Sequence, residues 1–185
     1  MSAVAYLPEN QPKQVAGNVI FESAKEGVVV RAYFSKLPPG EHGFHIHKAG
    51  DLRGEGCKGA CDHYHVGPPV NHGGPPNSSG PRHTGDLGNI SKSPFYKLYE
   101  LKGVDINDLY GRSLIVHADP DDLGKGPHAD SKTTGHSGAR IACSIIGRVS
   151  APNCTIIPSS KKNTNKANTT RKINRNENTF MKTST

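Results

Sequence analysis

Two histidines separated by a single residue stand in the segment Gly43-Phe44-His45-Ile46-His47. The alternation of this segment predicts a β-strand, in which side chains two residues apart lie on the same face. His45 and His47 therefore point to one side, with Phe44 and Ile46 on the other. Two imidazoles held side by side on a rigid strand form half of a metal site, and its remaining ligands must come from elsewhere in the chain.

Further metal-type side chains occur at strand ends and in two long irregular segments of this chain, which has ten histidines in all. His117 ends a short apolar segment and can complete an all-nitrogen site with His45 and His47; four imidazoles suit Cu(II). Three imidazoles with one carboxylate form a tetrahedral zinc set. The residues of that second set are His63, His72, His83 and Asp86. Spacing alone does not show that the two groups are neighbours.

The elements that must position these ligands are strands. Alternating or β-branched segments predict strands at residues 2–7, 15–22, 27–34, 43–47, 95–101, 113–117 and 141–149. Residues 48–94 and 119–137 are predicted to be irregular, and loops of this length in a compact domain are usually functional or disordered. No segment has a convincing helical period. Strands at this spacing, joined by turns rich in Gly and Pro, predict a sandwich or barrel.

The net charge of +7 is unevenly distributed along the chain. Residues 155–185 contain seven basic residues and one acidic residue, which leaves +1 for residues 1–154. This Asn-, Thr- and Lys-rich segment is predicted to be a disordered tail, either a solvated extension or a weak binder of polyanions. Because the body lacks basic clustering and aromatic interleaving, we expect no specific nucleic-acid partner.

The apolar segments are short. None approaches the roughly 20 apolar residues that a membrane span needs, so we expect no membrane association. The first residues lack the basic and apolar regions of a secretory signal, which predicts a cytoplasmic protein.

Eight segments of the chain form one pattern: 43–47, 56–57, 62–63, 72–75, 82–89, 116–117, 121–126 and 138–143. In order and spacing they closely resemble the copper/zinc superoxide dismutases, and the match covers about residues 2–150. The resemblance implies an all-β, eight-stranded Greek-key β-barrel or sandwich of immunoglobulin-like form with two long functional loops. The domain would span residues 1–154, with the tail at 155–185.

The resemblance also implies one copper and one zinc ion per subunit. The implied copper ligands are His45, His47, His63 and His117, and the implied zinc ligands are His63, His72, His83 and Asp86. His63 would then be shared as an imidazolate, which two cations together can stabilise. Asp121 matches a carboxylate that hydrogen-bonds a copper histidine and a zinc histidine, and so orients both.

The implied activity is superoxide dismutation, in which copper alternates between Cu(II) and Cu(I). One superoxide ion gives O2, and a second one, with two protons, gives hydrogen peroxide. His63 would pass a proton to the peroxide, and Arg140 would attract and orient the anion. Thr134 would line the same channel. Zinc would have no redox role and would hold His63 and its loop in place.

The family pattern pairs Cys57 with Cys143 in a disulfide. Cys61 has no counterpart in that pattern, and Cys154 is interpreted as free. The segment 50–53 corresponds to a loop that helps to form a dimer interface, so a homodimer is expected, with a copper chaperone as a further partner. His42 is interpreted as structural, and the other three histidines as solvated: His65, His128 and His136.

A non-catalytic relative that binds copper, as a chaperone or decoy, is the main alternative. All the metal histidines, together with Asp86 and Arg140, are present, and no separate Cys-x-x-Cys copper-delivery domain precedes the body. Both observations favour the enzyme. A nucleic-acid-binding protein with a basic tail ranks last.

Overall fold

Two antiparallel sheets pack against each other in the computed structural model, which describes residues 1–10 and 14–149. Numbered in chain order, the strands of the first sheet follow the order β6-β3-β2-β1-β9, and those of the second the order β5-β4-β7-β8. This is the predicted β-sandwich. The strands are β1 Ser2–Leu7, β2 Ala16–Ala24, β3 Gly27–Lys36, β4 Glu41–His47, β5 Asp86–Ser91, β6 Phe95–Lys102, β7 Ser113–His117, β8 Arg140–Ile145 and β9 Gly147–Arg148.

The core lies between the sheets and follows from strand alternation. In β3 the even-numbered residues from Val28 to Phe34 are buried, whereas Arg31 and Tyr33 are exposed on the outer face. The ring of Phe34 meets that of Phe44 edge-to-face, with centroids 5.4 Å apart. Strand β4 differs because almost all of it is buried on both faces. Its outer face is therefore covered, and this is the face that carries the histidine pair.

The prediction that residues 48–94 are wholly irregular is wrong. This segment contains β5 and a short 3-10 segment, Glu55–Ala60, and residues 119–137 contain one four-residue helix, α1, Ser131–Thr134. Strand β5 lies at the edge of its sheet and pairs only with β4, with a register shift, and its composition carries little strand signal. The last predicted strand is divided between the sheets, as β8 and β9; counted as one, it gives the eight strands expected.

The predicted tail at 155–185 and Cys154 lie outside the described residues. The division of the chain into a domain at 1–154 and a tail therefore stays a prediction. Within the described ranges, no helix has the length and apolar character needed to cross a membrane.

Candidate metal centre

Four buried imidazoles converge on the covered face of β4. His45 and His47 come from β4 itself, His117 from the end of β7, and His63 from the loop that follows β4. One nitrogen from each ring lies within 4.8 Å of the others. The cross-strand pairing of β4 with β7 brings His117 to the pair, as strand geometry requires for neighbouring strands of one sheet.

The loop that delivers His63 is tied to β4 by its backbone. The Tyr64 N–H donates to the Ile46 carbonyl over 2.8 Å, and the Lys48 N–H donates to the Asp62 carbonyl over 2.9 Å. His63 thereby forms an isolated bridge with His47. A side chain from an irregular segment is thus held almost as firmly as one on the sheet.

Each of these imidazoles has one nitrogen that is hydrogen-bonded and one that has no partner among the described residues. The bonded contacts are His45 Nε2 to Asp121 Oδ2 at 2.9 Å, His47 Nδ1 to the Cys61 carbonyl at 2.8 Å, His63 Nδ1 to Asp86 Oδ1 at 2.8 Å and His117 Nδ1 to the Gly138 carbonyl at 3.2 Å. The unpartnered atoms are His45 Nδ1 and the Nε2 atoms of His47, His63 and His117. Buried polar atoms without a partner are costly. Four such imidazole nitrogens that converge on one point fit a metal ion.

The protonation states also suit a metal. Burial lowers the pKa of His47 to about 2 and that of His117 to about 3, and it lowers the pKa of His45 well below its ordinary value. These rings are therefore neutral at pH 7. Neutral imidazole is the form that binds a metal, so no proton has to be displaced from them.

A second cluster is built around the carboxylate of Asp86. Its Oδ1 atom lies 2.8 Å from Nδ1 of His63, 3.0 Å from Nδ1 of His72 and 3.3 Å from Nδ1 of His83. Burial alone would raise the pKa of Asp86, but the contacts with these imidazoles hold it well below its ordinary value. Three nitrogens and one carboxylate oxygen are a donor set that suits tetrahedral zinc.

Asp121 joins the two clusters. Its Oδ2 atom is 2.9 Å from His45 Nε2, and its Oδ1 atom is 2.8 Å from His72 Nε2. Asn89 of β5 fixes the loop at this point, because its amide donates to the Asp121 carbonyl and its side-chain oxygen accepts from the Asp121 N–H. The role predicted for Asp121 requires these two contacts, and the role itself stays a prediction. Asn89 was not predicted, although it ends one of the motifs that carry the resemblance.

Replacing Asp121 with asparagine is expected to weaken metal binding at one of the two clusters by about 10- to 100-fold, the usual effect of losing an outer partner of a ligand histidine. An amide accepts through only one of its two terminal atoms, so either His45 or His72 loses its partner. The measurement is competition with a chromophoric chelator. Asp122→Asn is the matched control, since that carboxylate accepts from the Gly124 N–H and the Ser131 hydroxyl. Equal affinities in both variants would contradict the prediction.

Arg140 begins β8 and lies opposite His117 in the pairing of β7 with β8. Its guanidinium donates to the Cys57 carbonyl over 2.7 Å and to the Cys61 carbonyl over 2.6 Å. The Cys61 carbonyl also accepts from His47, so one backbone oxygen orients a ring of the first cluster and the guanidinium together. Sequence inspection offered no signal for this contact, because it comes from the backbone.

A cavity of about 510 Å³ leads to His63. Thr134, the residue predicted to line a channel, belongs to its wall, as do Lys132, Lys48 and Asp62. Lys48 and Asp62 form an ion pair at 3.2 Å. The cavity therefore offers a small anion a partly cationic approach to His63, the histidine common to both clusters.

The disulfide expected between Cys57 and Cys143 is present, and it closes a sequence separation of 86 residues. Cys61 is a free, exposed thiol. His42 is buried, and its ring contacts the backbone carbonyls of His117, Ala118 and Pro38, as a structural histidine would.

The three histidines predicted to be solvated all lie outside the two clusters. His128 and His136 are exposed and stack on each other, with ring centroids 3.6 Å apart. His65 is half-buried and contacts the Pro68 carbonyl.

Comparison with known proteins identifies the family of this chain. The family model of copper/zinc superoxide dismutase matches residues 15–146. The chain belongs to the copper/zinc superoxide dismutase family. A superoxide dismutase (Cu-Zn) of Paramecium bursaria Chlorella virus 1 is 42% identical over 156 residues, which are 80% of this chain and 78% of that protein.

Two further proteins are similar to this superoxide dismutase. "Putative superoxide dismutase (Cu-Zn)" of Autographa californica nuclear polyhedrosis virus is 43% identical over 143 residues, which are 71% of this chain and 91% of the relative. The crystal structure of the clock protein EA4 matches with a TM-score of 0.66 and 35% identity, and the match covers 80% of this chain and 94% of that one.

Family membership establishes the activity. This superoxide dismutase is an oxidoreductase that converts superoxide into O2 and hydrogen peroxide, and the family implies copper and zinc as its metals. The two clusters fit such metals. The alternative of a non-catalytic copper-binding relative is not favoured, since both viral relatives carry the name of the enzyme.

Proposed function

We propose that the two clusters hold one copper and one zinc ion per chain. The observation that carries this assignment is the position of His63, whose Nε2 atom faces the first cluster while its Nδ1 atom faces Asp86 in the second. The first donor set is all imidazole, which favours copper. The second includes a carboxylate, which suits zinc. The proposed copper ligands are His45, His47, His63 and His117, and the proposed zinc ligands are His63, His72, His83 and Asp86.

The four imidazoles would hold copper, which when bound would supply the one-electron redox chemistry of Cu(II) and Cu(I). His63 is then the proton carrier, because its Nε2 atom faces the copper cluster and the residue also lines the cavity. Its Nδ1 atom, which faces Asp86, would be held by the zinc of the second cluster, and this keeps the ring oriented while Nε2 takes up or releases a proton. The loop ligands His72 and His83 fix this geometry from the other side.

Arg140 attracts superoxide and holds it beside the copper cluster. Its two contacts with the Cys57 and Cys61 carbonyls restrain the guanidinium without neutralising its charge, because carbonyls carry no net charge. A positioned cation at a recessed site focuses the field on an arriving anion. Thr134 and Lys132 line the approach.

Changing Arg140 to glutamine is expected to lower kcat/KM for superoxide by at least about tenfold at low ionic strength and to weaken its dependence on salt. Pulse radiolysis or stopped-flow measurement across a series of salt concentrations gives both quantities. Arg148→Gln is the matched control: it removes the same charge from a guanidinium that lies 4.3 Å over the Tyr110 ring. If the two variants lose rate and salt dependence equally, Arg140 has no specific role.

The assignment as a whole is tested by reconstituting purified protein with copper and zinc. We expect one ion of each per chain and rapid superoxide consumption, and copper absorption that shifts when zinc is withheld, because both metals share His63. Two ions per chain without dismutation would reject the catalytic assignment. Dismutation that does not depend on copper would reject the metal assignment.

We also propose a homodimer, copper loading by a chaperone and a cytoplasmic location, all by analogy with the family. The support for the dimer is local. Gly50, the first residue of this loop, lies next to Gly111, whose N–H donates to the Ile146 carbonyl, and the neighbouring Ile145 is 47% exposed. Apolar exposure beside a loop of this kind fits an interface. Analytical ultracentrifugation distinguishes a dimer from a monomer.

A further inference from the structure

Three exposed tyrosines form a single row across the outer face of the first sheet. In the strand register Tyr6 of β1 pairs with Asn18 of β2, Asn18 pairs with Tyr33 of β3, and Tyr33 pairs with Tyr96 of β6. Residues directly opposite each other in antiparallel strands project from the same face. The three tyrosines are 60%, 40% and 62% exposed, respectively. We call these four residues the tyrosine row; at ordinary strand spacing it is about 14 Å long.

The surroundings of the tyrosine row are largely apolar: Arg31 is paired with Glu22, and on the opposite side of the row the Ser35 hydroxyl donates to Glu9 over 3.0 Å. The next row of the sheet consists of Val4, Ile20, Arg31 and Leu98, and Leu98 is 45% exposed. Hydrogen bonds with Glu22 and with Tyr96 raise the pKa of Arg31. The acidic residues Glu22 and Glu100 lie one row further away, and Glu22 is paired with Arg31 at 2.8 Å.

A flat sheet face with aligned aromatic rings is a surface on which nucleic-acid bases stack. Every base has a π-face, so such stacking tolerates any sequence, and sheets that carry two or three exposed aromatic residues bind single strands in this way. A lone exposed tyrosine needs no explanation, but three in register form a patch. The Asn18 amide, in the middle of the row, offers hydrogen-bonding groups between the rings.

The charge of the chain points to the same kind of partner. Residues 155–185 carry seven basic residues and one acidic residue. Such a segment attracts a polyanion at long range wherever it lies relative to the sheet, and this attraction weakens as salt is added. The aromatic row and the basic segment are independent features, and both match single-stranded nucleic acid.

We propose that the tyrosine row is a binding platform for single-stranded nucleic acid, with no sequence preference, to which the basic segment adds electrostatic attraction. Bases stack on Tyr6, Tyr33 and Tyr96. The metal clusters belong to the other sheet and its loops, so binding leaves dismutation unchanged. The expectation of no specific nucleic-acid partner is not contradicted, since the platform reads no sequence.

The test uses the full-length, metal-loaded chain and the fluorescence anisotropy of a dye-labelled oligothymidylate over a range of salt concentrations. Tyr33→Leu/Tyr96→Leu is expected to weaken binding by at least about tenfold. The dependence of affinity on salt should stay the same, because no charge is removed. Tyr33→Phe/Tyr96→Phe is the matched control and should bind within about twofold of the unchanged chain, because phenyl rings also stack. Both variants should keep full dismutase activity, which verifies their folding.

A second set of variants tests the electrostatic part. Changing Lys161, Lys162, Lys166 and Arg171 to glutamine should reduce the slope of log affinity against log salt by about 3, as expected for four phosphate contacts on a single strand. Three outcomes overturn the proposal. One is that the full-length chain does not bind the oligomer, and another is that the leucine variant binds as tightly as the phenylalanine variant. The third is that the leucine variant changes the oligomeric state and leaves affinity intact, which would make the row a protein interface.

Discussion

Replacing His63 with alanine is expected to lower the rate of superoxide dismutation by more than about 100-fold. Loss of a residue that only hydrogen-bonds to a metal ligand lowers metal affinity or activity by about 10- to 100-fold, and loss of the ligand itself should cost more. The ring has a buried Nε2 atom that faces three other imidazoles and an Nδ1 atom that is bonded to Asp86 at 2.8 Å. One substitution therefore removes a donor from both clusters. No other residue belongs to both of them.

The measurement combines rate and metal content. Copper and zinc affinities are both expected to fall in the His63→Ala protein, whereas His72→Ala should weaken only the second cluster directly. His128→Ala is the matched control, because that exposed ring contacts His136 and lies outside both clusters. It should retain full activity. If His63→Ala loses activity but binds both metals with unchanged affinity, the shared-ligand assignment is wrong, and a role in proton transfer alone would remain.

The strand half of this centre follows from the sequence by local rules. The two-residue period of a strand places His45 and His47 on one face, whatever the position of the strand in the sheet. The alternating apolar residues Phe44 and Ile46 indicate that the opposite face packs against the core. Because β4 and β7 are neighbours in the sheet, their pairing then brings His117 close to His45 and His47. These contacts are predictable because they depend on the regular geometry of a sheet.

The loop half depends on contacts that no local rule encodes. His63 reaches the centre because backbone groups of Tyr64 and Asp62 bond to β4, and Asp121 is held by Asn89 from 32 residues earlier in the chain. The family resemblance supplied the proposed ligand residues, but it did not supply these backbone contacts. Strand β5 was missed for the same reason, since it is an edge strand that is stabilised by what it pairs with.

The tyrosine row, on the opposite sheet, likewise could not be predicted from local sequence rules. Tyr6, Tyr33 and Tyr96 are far apart in the sequence, and each alone resembles an ordinary surface residue. Only the register of four strands places them in line. Aromatic residues that alternate along one chain segment are visible in a sequence, whereas rings that line up across several strands are visible only once the strand register is known.

Removing the disulfide with Cys57→Ser/Cys143→Ser is expected to lower the free energy of unfolding by about 4–5 kcal/mol in the chain-entropy treatment of cross-links. The bond closes a separation of 86 residues, so the unfolded chain gains considerable freedom when it is absent. It also joins the loop that begins after β4 to β8. Chemical denaturation of the metal-free protein measures the change without a contribution from metal binding.

The same double substitution should reduce activity in the metal-loaded enzyme, for a reason separate from stability. The Cys57 and Cys61 carbonyls hold the Arg140 guanidinium, and the disulfide fixes the segment that carries them. Cys61→Ser is the matched control: it changes an exposed thiol but keeps the carbonyl, so stability should shift by less than about 0.5 kcal/mol. A double variant that is destabilised but keeps its full rate and salt dependence would show that Arg140 is positioned by β8 alone. If the unchanged protein, the double variant and the Cys61→Ser variant have equal free energies of unfolding, contacts that need neither metal nor disulfide already order the loop.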